Sequence, residues 1–356
     1  MNDISREPVT SRAIRVKFLS KTGERIWRRQ LPGHGALWGN CEFIFDKDER
    51  DYDWLVVYDD LPSTKGERFS VRVEPLSCAR ENTLLVTTEP SSIKSYGSAY
   101  TAQFGHVLTS QEPWALPHPN RIYSQPALRW FYGVGRGHEI SYDHLASAQP
   151  PSKSKTLSTV CSSKRQKHTL HNRRYEFTLA LKALLPELDI YGHGVRDMDD
   201  KAEALDDYRY HIAIENYVGA HHCTEKLSDA FLGFTLPFYY GCPNAEQYFP
   251  PRSFIRIDIG DIEKTRNIIA RAIADNEYQK RLPDIVEARR RVLEDYNIFS
   301  VLANVVGAHH AAAGARKEPF ILMSRRALIT RHPLAGLRHL FEKARVRLLH
   351  SAGRGQ

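Results

Sequence analysis

The 356-residue sequence has no stretch approaching the roughly 18 uncharged apolar residues that a membrane-spanning helix needs. A protein in solution or on a surface is therefore expected. Its five cysteines, Cys41, Cys78, Cys161, Cys223 and Cys242, are an odd number without C-x-x-C spacing, and no neighbours complete a zinc pattern. That excludes a disulfide-stapled scaffold and implies ordinary thiols in a reducing compartment. The amino-terminal stretch lacks the apolar core of a signal peptide, because acidic residues come early and the run from Ile14 to Leu19 is broken by Arg15 and Lys17. The expected location is the cytoplasm. Repeats of structural period are missing too: the string GAHH at Gly219 to His222 recurs at Gly307 to His310 with unrelated flanks.

An acidic surplus is also absent. Fifty basic minus 42 acidic residues leave +8, with a pI near 9.1. Such a balance suggests nucleic acid or an anionic membrane, but the charge is concentrated. From Ser324 to Gln356 stand eight basic residues (Arg325, Arg326, Arg331, Arg338, Lys343, Arg345, Arg347 and Arg354) against Glu342 alone, a local +7. The preceding 323 residues therefore carry about +1. A near-neutral body, and a tail without interleaved aromatics, argue against nucleic acid as a partner.

What is present is alternation. Runs rich in β-branched and aromatic residues recur, first AIRVKFL, DWLVVYDD, NTLLVTTE and GHVLTS, then LSTVCSS, LDIYG, YRYHIAIE, TLPFYY and SFIRID. Helical or loop segments separate them, the pattern of parallel sheets covered by helices. Pro150 and Pro151, among serines and lysines, mark a domain boundary near Ser152, although the stretch also reads as a long surface loop. The expected division is 1–150, 151–320 and a basic tail at 321–356. In HTLHNRRYEFTLALKALLPE a helical stripe of Tyr175, Leu179 and Ala183 runs beside Phe177, Leu181 and Leu184 until Pro186 stops it. Another helix is expected after Thr224, and helical patterns fill Asp261 to Lys317. The glycine run from Gly133 to Gly137 lacks a following helix and reads as a mobile loop, not a dinucleotide fingerprint. Asp197, Asp199 and Asp200 form a D-x-D-like cluster, read here as a solvated turn.

The stretch from Tyr208 to Ile257 carries the most chemistry. A buried strand ends at Glu215 and Asn216, where an open α/β sheet places its ligand crevice. Thr224 is a good N-cap, and Glu225 and Lys226 fall in the first turn. Free N–H groups, the positive dipole end and a lysine charge together suit a diphosphate. Spacing alone equally allows Glu225 to complement the dipole while Lys226 is a solvated charge. The segment resembles the donor-binding signature of the family 10 glycosyltransferases, the α-1,3/1,4-fucosyltransferases, of bacterial type. The matching positions are Tyr208, Tyr210, Ile214, Glu215, Asn216, Thr224, Glu225, Lys226, Pro237, Tyr240, Gly241, Pro251, Ser253 and Phe254. The resemblance is good from Leu157 to Asp258 and only general before it.

It implies an α/β, GT-B-like fold, with two Rossmann-like domains facing each other across a cleft: an acceptor-binding 1–150 and a GDP-sugar-binding 151–320. It further implies that Lys226 and Arg174 hold the diphosphate, with Arg173 the adjacent rival. Glu225 would bind the ribose, and Glu215 and Asn216 would line the donor pocket. His222 and Cys223 replace the family's tyrosine and valine, and Tyr240 its tryptophan, so the contact at His222 is expected to differ. The implied reaction inverts the anomeric carbon of GDP-fucose as a glycan hydroxyl displaces GDP, with no cofactor beyond the donor. His221 and His222 point apart and suggest no metal site; cations at the diphosphate would stand in for one. Arg174, Lys226 and the helix end would stabilise the leaving group. A carboxylate of the first domain would be the general base: Glu89 in VTTEP or Glu112 in LTSQEP, with His106 a third candidate. Either glutamate also reads as a loop residue capping a helix. Another nucleotide-sugar donor, or a binder without transfer activity, fits the same pattern.

In the tail, Pro333 opens a basic amphipathic helix with Leu334, Leu337, Leu340 or Phe341, Ala344 and Leu348 as its apolar stripe. Such a helix lies on an anionic membrane surface, each basic residue contributing about 1 kcal/mol, or else packs on the body. Membrane attachment would suit a lipid-linked oligosaccharide acceptor, as in lipopolysaccharide synthesis at the inner face of the cytoplasmic membrane.

Overall fold

The computed structural model describes residues 12–64, 67–123, 125, 129–163, 170–310 and 318–352. Arg354 of the basic tail, the residues before Arg12 and the end of the helical pattern at 311–317 lie outside these. All nine apolar runs form strands, and they assemble into two sheets. The first has the order Leu37–Trp38, Cys41–Ile44, Ile14–Ser20, Trp54–Tyr58, Thr83–Val86, His106–Thr109 and Arg121–Tyr123. Every pairing in it is parallel except that of Leu37–Trp38 with Cys41–Ile44. Its central strands are buried on both faces, as a parallel sheet between helices must be; Trp54 through Val57 have no exposed surface. The second sheet is wholly parallel, in the order Leu188–Tyr191, Lys155–Val160, Tyr208–Ile214, Leu236–Tyr240 and Ile255–Arg256. Two Rossmann-like sheets thus stand in the GT-B-like arrangement expected.

Several details differ from the sequence reading. The helix His171–Leu184 buries Arg174, Phe177, Thr178 and Leu181, and leaves Leu179 and Leu184 at 44% and 39% exposure. The core-facing row is thus the one starting at Arg174, and a charged residue on that row disguised it. The segment Gly133 to Gly137 is no mobile loop. Val134–Gly135 pairs antiparallel with His138–Glu139, and the acidic cluster holds the hairpin. Asp200 accepts from the Gly133 N–H at 2.9 Å and contacts His138 Nε2 at 2.9 Å, while Asp199 accepts from the Arg136 N–H at 2.8 Å. Asp200 is buried and also caps the short helix Lys201–Ala204, so it is not a solvated turn residue. In the linker, buried Lys153 donates to the carbonyls of Leu205, Asp206 and Gly233 at 2.9, 2.9 and 2.7 Å. Burial depresses its pKa to about 8.

The chain crosses back before it ends. The helix Ile298–His309 lies within the 151–320 span, yet Ile298, Phe299, Leu302 and Val306 pack among Val16, Trp54 and Val56 of the first sheet. The strand Ile321–Met323 then pairs antiparallel with Val73–Pro75. The helix Arg325–Arg331 follows, capped by Ser324, and Pro333 opens the helix Pro333–Ser351. This last helix meets the first domain through buried Val346 and through Glu342, which accepts from the Ser98 N–H at 2.9 Å, while Gly336 packs on Ile329 of the preceding helix. Leu334, Leu337, Leu340, Phe341 and Leu348 are 64–80% exposed on it. Among the described residues no helix is long and apolar enough to cross a membrane.

Candidate functional site

Tyr208–Ile214 is the middle strand of the second sheet, so the residue after it emerges at the sheet's centre. That residue, Glu215, donates its N–H to the Tyr240 carbonyl at 2.8 Å and is fully buried. A buried carboxylate must be hydrogen-bonded; Glu215 accepts from the Thr224 N–H at 2.8 Å and the Thr224 hydroxyl at 2.6 Å. The strand end is thereby tied to the start of the helix Glu225–Leu232. A Cβ at Gly241 would stand 2.3 Å from Glu215 Cγ, so only glycine leaves this carboxylate its place. Thr224 caps the helix, accepting from the Lys226 N–H at 3.3 Å.

Lys226 Nζ is folded back over the same turn, 3.1 Å from Thr224 Oγ1, 3.1 Å from Glu225 Oε1 and 3.4 Å from Glu215 Oε2. Burial would raise the Glu225 pKa, but Lys226 and Lys201 outweigh it and hold it well below the ordinary carboxylate range. Burial likewise works against the charge of Lys226, and Glu225 and Glu215 overcome it to raise its pKa. Both groups are ionised at neutral pH. Lys201 bridges to Glu225 at 4.0 Å and to buried Asp229 at 2.7 Å. Arg174 enters from the other side, donating to Asn216 Oδ1 at 2.7 Å and the Ile214 carbonyl at 3.3 Å. Its buried Nε has no hydrogen-bond partner among the described residues. Arg173 is exposed, so Arg174 is the arginine at this site.

The carboxyl ends of the first sheet face this cluster. The Ser110 hydroxyl lies 3.1 Å from His222 Nδ1, and Tyr123 stacks on His221 at 5.0 Å. Burial lowers the His222 pKa and keeps its ring neutral at neutral pH. His221 contacts the Tyr248 hydroxyl at 2.6 Å, so the adjacent histidines do have separate partners. The two glutamates of the first domain differ. Glu112 is tied down by hydrogen bonds from the Ser91 hydroxyl, at 2.6 Å, and the Tyr217 hydroxyl. Ser91 Oγ also lies 2.9 Å from His350 Nε2, in the last turn of the carboxyl-terminal helix. Glu89 is open to solvent, and no hydrogen bond reaches its carboxylate among the described residues. Loss of hydration within the cleft raises its pKa; Lys94 and Lys226 oppose the shift, and Asp59 and Glu225 reinforce it. His106 is at the wrong end. It begins its strand, stacks on Trp54 at 5.8 Å and lies 4.5 Å from His309, at the edge remote from the cleft.

Sequence reading missed Lys201, Tyr217, Ser91, His350 and Asp59. Asp59 follows the strand Trp54–Tyr58 at φ +74°, an uncommon conformation for a non-glycine residue. Tyr96 donates to it at 2.7 Å and Lys94 pairs with it. Only Tyr217, directly after Glu215 and Asn216, carried a local signal. The others are brought in by tertiary folding.

The family model for the glycosyltransferase family 10 (fucosyltransferase) C-terminal domain matches residues 150–276. An α-(1,3)-fucosyltransferase FucT of Helicobacter pylori is 34% identical over 61 residues, 17% of this chain and 13% of that protein. A fucosyltransferase-like protein of Arabidopsis thaliana is 28% identical over 145 residues, 38% of this chain and 28% of that one. The chain thus spans well under a third of either curated relative. A crystal structure of an α1,3-fucosyltransferase, and one with GDP-fucose, align at 16% and 14% identity with TM-scores of 0.45. The alignments cover 79% and 84% of this chain and 84% and 93% of those. The matched segment, 150–276, holds Glu215, Asn216, Thr224, Glu225 and Lys226 together with Arg174, so the part of the chain that resembles the fucosyltransferase C-terminal domain is the part that builds this cluster.

Proposed function

We propose that the protein transfers fucose from GDP-fucose to a hydroxyl of a glycan acceptor, inverting the anomeric carbon. The observation that carries this reading is the family-matched cluster at the Thr224 helix end, where Arg174 and Lys226 converge at the positive end of the helix dipole. In the cluster three cations, Lys201, Lys226 and Arg174, balance three carboxylates, Glu215, Glu225 and Asp229. A diphosphate would draw Lys226 and the unsatisfied Arg174 Nε toward itself and free Glu225 for the ribose. Negative charge developing on the leaving GDP would then meet cations already in place, where one such donor is worth about 10²–10³ in rate. Asn216 holds Arg174, Glu215 holds Thr224, and His222 stands where the donor loop meets the acceptor domain.

Glu89 is the general base in this scheme. A carboxylate with a raised pKa and no internal hydrogen bond can take the acceptor hydroxyl's proton, whereas Glu112 is engaged by Ser91 and Tyr217 and would position acceptor. The first sheet, with the carboxyl-terminal helices, serves as the acceptor domain and 151–297 as the donor domain. The exposed leucines and Phe341 of the last helix, flanked by Arg338, Lys343, Arg345 and Arg347, favour attachment to the cytoplasmic face of an anionic membrane. There a lipid-linked surface glycan would be the acceptor.

The test is titration with GDP-fucose and other nucleotide sugars, followed by product analysis on an acceptor panel. Transfer of fucose with inverted configuration is expected. Tight binding of GDP-fucose without transfer to any acceptor would make the protein a sensor, and preference for another donor would change the sugar.

A further inference from the structure

A cavity of about 450 Å³ lies where the two carboxyl-terminal helices meet the carboxyl ends of Ile14–Ser20 and Trp54–Tyr58. Its position is that of a ligand crevice in an open α/β sheet. Tyr96 and Tyr100 give it an aromatic wall, and Phe69, itself 52% exposed, stands at its rim. Its lining is basic. Asp60 is the acid among the lining residues, and it is already satisfied, accepting from the Leu61 and Arg325 N–H groups at 3.0 and 3.1 Å with Lys21 Nζ 3.4 Å away. Arg68 and Arg326 have no carboxylate partner among the described residues. Both guanidinium groups nevertheless converge on the Phe69 ring, 5.3 and 4.9 Å from its centroid. Like charges drawn to one ring repel unless an anion joins them. Within the cavity wall, the hydroxyl of Tyr100, only 2% exposed, has no hydrogen-bond partner among the described residues, and neither has His339 Nδ1. Buried polar groups left unmatched favour a ligand that supplies the missing bonds. Tyr96 links the cavity to the cleft, because its hydroxyl donates to Asp59 at 2.7 Å and Asp59 in turn acts on Glu89.

We propose that this cavity binds an anionic sugar unit of the acceptor, its ring against the tyrosines and its carboxylate or phosphate on Arg68 and Arg326. The word acceptor rests on the fucosyltransferase reading; the binding site itself does not. The experiment is calorimetry on the full chain saturated with GDP, so that the donor site is closed, using glucose 1-phosphate, glucuronate and neutral glucose as probes. Both anionic sugars are expected to bind at least about tenfold more tightly than glucose. The tighter of the two identifies the anion. The double variant R68E/R326E should lose about tenfold in affinity for them while binding GDP as before. Tyr100→Phe should show a smaller loss. Equal binding of glucose, no binding of either anion, or indifference to R68E/R326E with GDP affinity intact would overturn the site. Since no arm measures transfer, loss of this site leaves the donor assignment standing, and failure of fucose transfer leaves this site standing.

Discussion

The two halves of the cleft are built in opposite ways. On the donor side, Glu215, Asn216, Thr224, Glu225 and Lys226 come from one strand–loop–helix passage, and Arg174 from the helix packed beside it. On the facing side Asp59, Glu89, Ser91, Glu112 and His350 come from three strand ends and the last helix, with up to 259 residues between hydrogen-bonding partners. The donor half also balances each cation with a carboxylate, whereas the carboxyl-terminal helix carries arginines with few acids to meet them. A half that grips one charged group can be compact. Under the proposed function the facing half would accommodate a varied glycan, and it is assembled from loops on separate strands, where single residues change without disturbing a shared core.

Substitutions can break this contrast, starting with the largest effect. Glu89→Gln should reduce transfer by about 10²–10⁴ with GDP affinity unchanged; Glu112→Gln should mainly raise acceptor KM. If the order reverses, the base is Glu112. With Glu89 as the base, its pKa, raised by burial, moves the acid limb of kcat/KM above the ordinary glutamate value, with activity rising as pH climbs through it. For stability the sign is opposite. The folded state holds this proton where the unfolded chain has lost it, so the contribution of Glu89 is present at low pH and lost as pH rises through its folded value. Lys226→Ala or Arg174→Ala should cost about 10²–10³ in kcat and weaken GDP binding while the melting temperature changes little. Wild-type turnover in both would end the donor assignment.

Gly241→Ala should destabilise the protein by about 1–3 kcal/mol, since its Cβ would collide with Glu215, and thermal unfolding will show it. Removal of Leu334 to Gln356 should abolish flotation with anionic liposomes, with undiminished flotation contradicting membrane attachment. His350→Ala should cost only a few-fold, in acceptor KM, because it acts through Ser91 on a carboxylate that Tyr217 still holds.

This contrast explains what could be read in the sequence. Every one of the nine apolar runs became a strand, because β-branched residues buried on both faces leave a strong signal, and Thr224 announced its helix by its capping chemistry. Cys41–Ile44 and Arg121–Tyr123 were missed, being short strands near the sheet's edges where burial is incomplete. The face of His171–Leu184 was misread because Arg174 sits on its buried row. Asp200 looked like a surface acid, yet the hairpin it holds comes from residues more than 60 positions away. His106 had a suitable side chain but the wrong end of its strand. Nothing local distinguishes the two ends until the order and direction of the strands are known.

The return of Ile298–His309 to the first sheet has a bearing on how this architecture can be shuffled. Phe299 alone packs on Phe18, Phe43 and Phe45, so a fragment ending at the Pro150–Pro151 linker would lack part of its own interior. The first-sheet domain can be exchanged between relatives only as a discontinuous unit, its opening portion together with everything from Asn297 onward. The inserted second-sheet domain, by contrast, is one continuous stretch of chain and can be replaced as a single cassette.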